Sequence, residues 1–338
     1  MSRVVRVVLA AVLAAAVGVL VLPGARADDA ASVLERARNA TVREDFSGTV
    51  QIEWLANGDW QTARVPVTGT GGTVQVGEGV RKAEGRGNER WIAGVSGWQA
   101  GWDEAVTGSV PAPSKHWDLA LAKGDEIAGR PTLVVTATDP RTDQPRLKVY
   151  CDRDTGVMLR REVLDAKGHV VRAVGFVEVK KLGGTKAPAP ADPPAKKGKD
   201  TAPTKVAALP SGFDAPATVA DRYVLAGRYL RPDGIVQLYY SDGLFGVSVF
   251  EQRGDLNASG LPRGSDAVAV GDAHGRGYEV AGGTVLVWDH ADMTRTVVSD
   301  ATIADLRTFA AAFDDRTQHH PGVVERVTDY VLGPFRWN

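Results

Sequence analysis

Hydrophobic and polar positions alternate with a period of two through much of the chain, the signature of half-buried strands. Phe46, Gly48, Val50, Ile52 and Trp54 alternate with Ser47, Thr49, Gln51 and Glu53. Asn57-Gly58 follows, and both residues tolerate the positive φ of a tight hairpin, so Trp60 to Val67 is expected to return antiparallel. Leu147, Val149 and Cys151 alternate with Lys148 and Tyr150. A turn at Asp152 to Gly156 leads back over Val157 to Leu164. A second turn at Lys167-Gly168 leads back over Val170 to Val179, which makes a meander whose neighbours pair. Tyr223 to Leu230 and Ile235 to Tyr240 flank Pro232-Asp233-Gly234, and Ser241-Asp242-Gly243 turns into Leu244 to Glu251. Tyr278 to Val280 and Thr284 to Trp288 flank Gly282-Gly283.

Two segments carry the helical period instead. Ala30 to Ala40 places Val33, Leu34 and Ala37 on one face, with Asp28 or Asp29 as N-cap. Ile303, Leu306, Phe309 and Phe313 fall on one side of a helix expected to be capped by Asp300. The predicted class is mainly β (α+β).

Residues 183–210 separate the two strand-rich regions. They are rich in Pro, Ala and Lys, lack aromatics, and cannot bury enough apolar surface to fold, which marks a linker. At the other end, Arg3 and Arg6 precede an unbroken apolar run from Val7 to Leu22, shorter than the roughly 20 residues of a spanning helix. Pro23-Gly24 and the small-x-small pattern Ala25-Arg26-Ala27 then complete an export signal. The expected organisation is a signal peptide over 1–27, an N-terminal domain over 28–182, the linker over 183–210, a C-terminal domain over 211–313 and a tail over 314–338. The expected location is outside the cytosol, in the periplasm or on the extracytoplasmic face of the cell envelope.

Cleavage after Ala27 leaves 37 basic against 41 acidic side chains. That balance, with no basic stripe interleaved with aromatics, excludes nucleic acid as a partner. The single Cys151 excludes an intrachain disulfide. It alternates with Leu147 and Val149, so it reads as a buried structural thiol rather than a nucleophile. Asp152-x-Asp154-x-Gly156 starts like a calcium loop but has Val163 where the bidentate Glu belongs, so it reads as a hairpin turn. His319-His320 lacks a third ligand at helical spacing. No catalytic, metal or cofactor site is predicted, and the protein is expected not to be an enzyme.

Six of the eight tryptophans lie between Trp54 and Trp117. They either fill the core of a helix-backed sheet or line a cleft, since Trp is favoured in binding surfaces. The candidate cleft residues are Phe46, Val50, Ile52, Trp54, Trp91, Trp98 and Trp102.

Three strings carry a resemblance. Phe46-Ser47-Gly48-Thr49-Val50 opens the first strand, Cys151 to Asp165 (CDRDTGVMLRREVLD) forms the late hairpin, and Tyr240 to Phe250 (YSDGLFGVSVF) forms the central hairpin of the second region. In this order, with Leu209-Pro210-Ser211-Gly212-Phe213, they resemble the RseB/MucB family of extracytoplasmic sigma-factor regulators, over about Ala30 to Phe313. The chain departs from that family in its longer linker, its Trp-rich segment 91–118 and its tail. The resemblance implies an N-terminal half like the carriers LolA and LolB, an unclosed antiparallel barrel with packed helices, and a smaller partner-binding sheet with one helix. It implies a negative regulator that binds the outer segment of a membrane-anchored anti-sigma factor, shields it from proteolysis, and is released by a lipid-like envelope signal. The alternatives are an envelope carrier of lipid or lipoprotein and a module that binds envelope glycan.

The partner contact is expected at Tyr239, Tyr240, Leu244 and Phe245, where a tight turn carries aromatics on both flanks. Strand alternation would turn one tyrosine of the pair outward or into the cleft between the halves. On the other reading, the hairpin is simply the covered centre of its domain.

Overall fold

The computed structural model describes residues 27–70, 73–76, 111–184, 204–231, 234–257, 259, 261–262, 264–315 and 317. Residues 1–26 of the predicted signal peptide, Trp91, Trp98, Trp102, most of the predicted linker and nearly all of the predicted tail lie outside them.

Helix α1 (Ala27–Arg43) runs through Asp28 and Asp29 rather than starting at them. The first sheet follows: β1 (Phe46–Ala56), β2 (Asp59–Thr70), β3 (Thr73–Val76), β4 (Asp118–Lys123), β5 (Thr132–Asp139), β6 (Gln144–Asp152), β7 (Met158–Leu164) and β8 (Val170–Leu182). Its order is β3-β2-β1-β8-β7-β6-β5-β4, an open antiparallel path in which the chain returns beside β1 through β8. The β1–β2 hairpin turns where expected: Asn57 and Gly58 have φ of 53° and 83°, the pair a two-residue turn of this hand requires.

The second sheet comprises β9 (Thr204–Lys205), β10 (Thr218–Val219), β11 (Tyr223–Leu230), β12 (Val236–Ser241), β13 (Gly246–Arg253), β14 (Asp266–Val270), β15 (Ala273–Val280), β16 (Gly283–His290) and β17 (Met293–Ser299). Its order is β10-β11-β12-β13-β17-β16-β15-β14, with β9 on β11. Thus Thr204 and Lys205, inside the stretch read as linker, already belong to the sheet. Helix α2 (Ile303–Asp314) is capped by Thr302, not Asp300: the Thr302 hydroxyl accepts from the Asp305 amide, and the Asp305 carboxylate accepts from the Thr302 amide. Asp300 is left free for another role.

Direct cross-strand partners share one face of a sheet. One row of such partners crosses the first sheet as Ala63, Ile52, Val174, Arg161, Val149, Val135 and Leu121. The next row on that face runs Trp54, Arg172, Val163, Leu147, Ala137 and Leu119. These rows are therefore apolar except for Gln61, opposite Trp54 at the β2 end, and two arginines on adjacent strands. Helix α1 covers part of this face, with Ala30, Val33, Leu34 and Ala37 in one buried cluster with Leu147, Val149 and Cys151. The same cluster continues into the second half through Leu244, Phe245, Leu306 and Phe309.

In the second sheet α2 lays Leu306, Phe309, Ala310 and Phe313 inward. Arg295 fastens its end: Nε donates to Glu251 at 3.0 Å, one Nη pairs with Asp314, and the other donates to Thr317 at 2.9 Å. Phe309 touches both Tyr223 (5.2 Å between ring centroids) and Tyr240 (5.5 Å) at its centre. Phe309→Ala should therefore cost about 3–5 kcal/mol, read as a lower midpoint in denaturant unfolding. Trp60→Ala, at a side chain 55% exposed, should change stability by no more than about 0.5 kcal/mol.

Candidate functional site

The predicted cleft residues of β1 come together. Phe46, Val50 and Ile52 are buried with Val65, Val67, Leu159 and Phe176, and Trp54 packs half-buried against them. Ala281, from the β15–β16 turn of the second half, joins this cluster.

The predicted partner hairpin is placed differently from the expectation that one tyrosine faces out: both are buried. Tyr240 lies against Phe309 and Phe313 and donates its hydroxyl to the Pro216 carbonyl at 3.0 Å. Tyr239 lies on the opposite face, its ring over Gly246, where a Cβ would come within 2.5 Å of its hydroxyl. Alternation does send the two rings to opposite faces, but both faces are covered there. Leu244 and Phe245 are buried against the chain's own N-terminal half, with the Phe245 ring centroid 5.6 Å from that of Trp117. Gly243, at φ 96°, fits this junction because a Cβ there would lie 2.5 Å from the Pro111 carbonyl oxygen.

What the sequence reading missed is the set of arginines that closes this seam. Arg161 on β7 pairs with Asp300 at 2.6 Å, donates to the Leu244 carbonyl at 3.0 Å, and stands 5.2 Å from the Phe245 ring centroid. Arg172 on β8 donates to the carbonyls of Asp300 (3.0 Å) and Gly283 (2.8 Å) and to the Thr284 hydroxyl (3.2 Å). Burial lowers its pKa to about 10, which leaves it charged at neutral pH. Arg146 on β6 donates to Asp305 in the first turn of α2 at 2.7 Å. In the reverse direction Arg222, just before β11, donates to Asp139 of β5 at 3.0 Å and lies 4.2 Å from the Trp117 ring centroid. Burial alone would raise the Asp139 pKa, but hydrogen bonds from Arg141 and the Arg222 charge outweigh it and hold this carboxylate well below its ordinary value.

Asp242 completes the seam. One oxygen accepts from the amides of Leu244 (3.0 Å) and Phe245 (2.8 Å), and the other faces Arg222 Nε at 3.4 Å. Burial pushes its pKa up to about 6 against the pull of Arg222 and those amides. Cys151 is buried and its thiol is pushed up to about 12 by burial, which leaves it unreactive at neutral pH. Among the described residues no group of three or more His, Cys, Asp or Glu is placed to hold a metal ion.

These features define a two-sheet antiparallel β protein whose halves meet across an arginine-lined seam beside an apolar sheet face. No family model matches the chain. The sigma factor AlgU regulatory protein MucB of Pseudomonas aeruginosa is 29% identical over 259 residues, covering 68% of this chain and 77% of that relative. This relative supports the resemblance to the RseB/MucB family. Solved structures found as similar include the Pseudomonas aeruginosa MucA/MucB complex, with 23% identity, TM-score 0.44, and 84% of this chain and 98% of that chain covered. A crystal structure of MucB gives 22% identity, TM-score 0.44, and 84% and 97% coverage.

Asp242 gives the seam a pH dependence of known sign. Its folded pKa lies above the ordinary value near 4, so the stability it contributes is full below that value and is lost as pH rises through about 6. Asp242→Asn keeps the acceptor for the Leu244 and Phe245 amides and removes the titration. The melting temperature of the variant relative to wild type should therefore climb between pH 4 and 6 and level off above. A constant difference across that range would contradict the assignment. Glu251, pushed by burial to about 7, contributes the same slope to both proteins and cancels in the comparison.

Proposed function

We propose that this protein is an extracytoplasmic negative regulator of a sigma factor. It binds the outer segment of a membrane-anchored anti-sigma factor, shields that segment from proteolysis, and releases it on a lipid-like envelope signal. The observation that carries the reading is the sequence relationship to a sigma factor regulatory protein across 77% of that relative's length. The geometry is compatible with it: the apolar face of the first sheet and the Leu244-Phe245 turn offer area burial, at roughly 25 cal/mol per Å², and need no catalytic group.

The burial of Leu244 and Phe245 adds a condition. A partner segment reaches them only when the seam between the halves opens, so partner binding and seam opening are linked equilibria. The mature chain, immobilised, should retain a membrane-anchored regulator from solubilised membranes of its host, and that regulator's outer segment should then resist added protease. Recovery of no such regulator, or a retained one cut as fast as when free, would overturn the proposal.

A second reading, an envelope lipid carrier, would require the apolar sheet face, buried under α1 and the second half, to be uncovered. Stoichiometric lipid in an organic extract of the native protein, together with no retained regulator, would establish that reading instead.

A further inference from the structure

Two arginines in otherwise apolar cross-strand rows are costly to bury, because a guanidinium there loses water and gains nothing from its neighbours. The neighbours of Arg161 on its row are Val149 and Val174, and those of Arg172 are Trp54 and Val163. The hydrogen bonds of both guanidinium groups run across the seam. What meets them there is the carboxylate of Asp300, the Thr284 hydroxyl and three main-chain carbonyls, those of Leu244, Gly283 and Asp300 itself, with the Glu279 charge also acting on Arg172. A side-chain carboxylate among spaced backbone carbonyls is the chemistry of an extended peptide.

The fit is incomplete. A carboxylate satisfies an arginine best through two parallel hydrogen bonds. Asp300 instead uses Oδ2 alone, while its buried Oδ1 and the Nε atoms of Arg161 and Arg172 find no hydrogen-bond partner among the described residues. The buried Nε2 of His116, Nε1 of Trp117, Nε of Arg222 and Oδ2 of Asp242, elsewhere in the same seam, also find none. Asp300 sits between the end of β17 and the cap of α2, so its position is set by both elements rather than by the arginine it meets.

We propose that Arg161 and Arg172 form a recognition site for an acidic residue within an extended peptide segment of the partner, and that Asp300 occupies this site in cis. The proposal rests on the regulator reading and names the chemistry that the partner segment must carry: an acidic side chain flanked by apolar residues, placed to lie over Leu244, Phe245 and the Ile52–Val174 row. An untethered carboxylate can take the two-point geometry that Asp300 does not. Its competition with Asp300 couples partner binding to release of the seam.

The test uses the full mature chain and peptides copying Thr296 to Ile303 (TVVSDATI), with Asp or Asn at the position of Asp300, followed by titration calorimetry or fluorescence anisotropy. The Asp peptide should bind the Asp300→Asn chain at least tenfold tighter than it binds wild type, whose tethered carboxylate competes at high effective concentration. It should also out-bind the Asn peptide at least tenfold, and Arg161→Gln or Arg172→Gln placed in the Asp300→Asn background should remove that preference. Where Asp300→Asn melts below the assay temperature, Asp300→Glu is used and the same preference for the Asp peptide is required. Equal binding of the two peptides, or a preference that survives loss of both arginines, overturns the site. So does binding of sub-micellar dodecanoate, dependent on the same arginines, in the absence of peptide binding, since the site then belongs to an amphiphile. A chain carrying Arg161→Gln that still captures the membrane regulator with wild-type affinity overturns this site and leaves the regulator reading standing. A wild-type chain that captures none overturns the regulator reading instead.

Discussion

A positive charge on an apolar sheet face has to be met from outside the sheet. Arg161 and Arg172 stand in the middle of the face that β1, β8, β7, β6, β5 and β4 build, and their direct cross-strand neighbours carry no charge. The main-chain carbonyls of Gly283 and Asp300 and the Thr284 hydroxyl that meet Arg172 lie more than a hundred residues away in the chain. The placement of the second sheet follows from this requirement. Asp300 is brought to the seam because Thr302 caps α2 in its stead, and the Leu244 carbonyl is brought there by the turn that Asp242 holds through two amides.

Buried ion pairs of this kind are weak sources of net stability but strong sources of specificity in the sense that breaking one is costly. Removing one partner leaves a stranded charge at about 3–5 kcal/mol. The seam is reciprocal in this respect, with Arg146, Arg161 and Arg172 reaching one way and Arg222 the other. It also lies across one continuous apolar cluster, so the halves share a core as well as charges. A freely hinged pair of domains would show neither feature.

Much of the fold was legible. The period-two runs at Phe46 to Trp54 and Leu147 to Cys151 are strands, as is the predicted Tyr223 to Leu230, and the Asn57-Gly58 turn is a hairpin, because local alternation and turn chemistry decide them. Strands β3, β4, β5, β9, β10, β14 and β17 were not foreseen, and the second sheet is correspondingly larger than expected. The outward tyrosine was inferred from alternation, which assigns faces but does not say whether a face is covered; at Tyr239 both are. Signals for the seam were present and went unread. Arg161 falls in phase with Leu159 and Val163, and Arg172 in phase with Val174 and Phe176, so each is a charge at an inward position of its strand. Which group answers such a charge is a question of tertiary pairing that strand periodicity does not contain. The Asp300 cap was misplaced by two residues for a related reason: Asp and Thr both cap helices, and the reciprocal Asp305 contact favours Thr302.

The arginine seam joins the two sheets into one cooperative body. Differential scanning calorimetry of the mature protein and of the Arg161→Gln/Arg172→Gln double variant tests it most directly. The account predicts a single transition for the wild type, with calorimetric and van't Hoff enthalpies equal, and two resolved transitions for the double variant as the halves unfold separately. Two independent transitions in the wild type, or a double variant that still melts as one unit at the wild-type temperature, would contradict it.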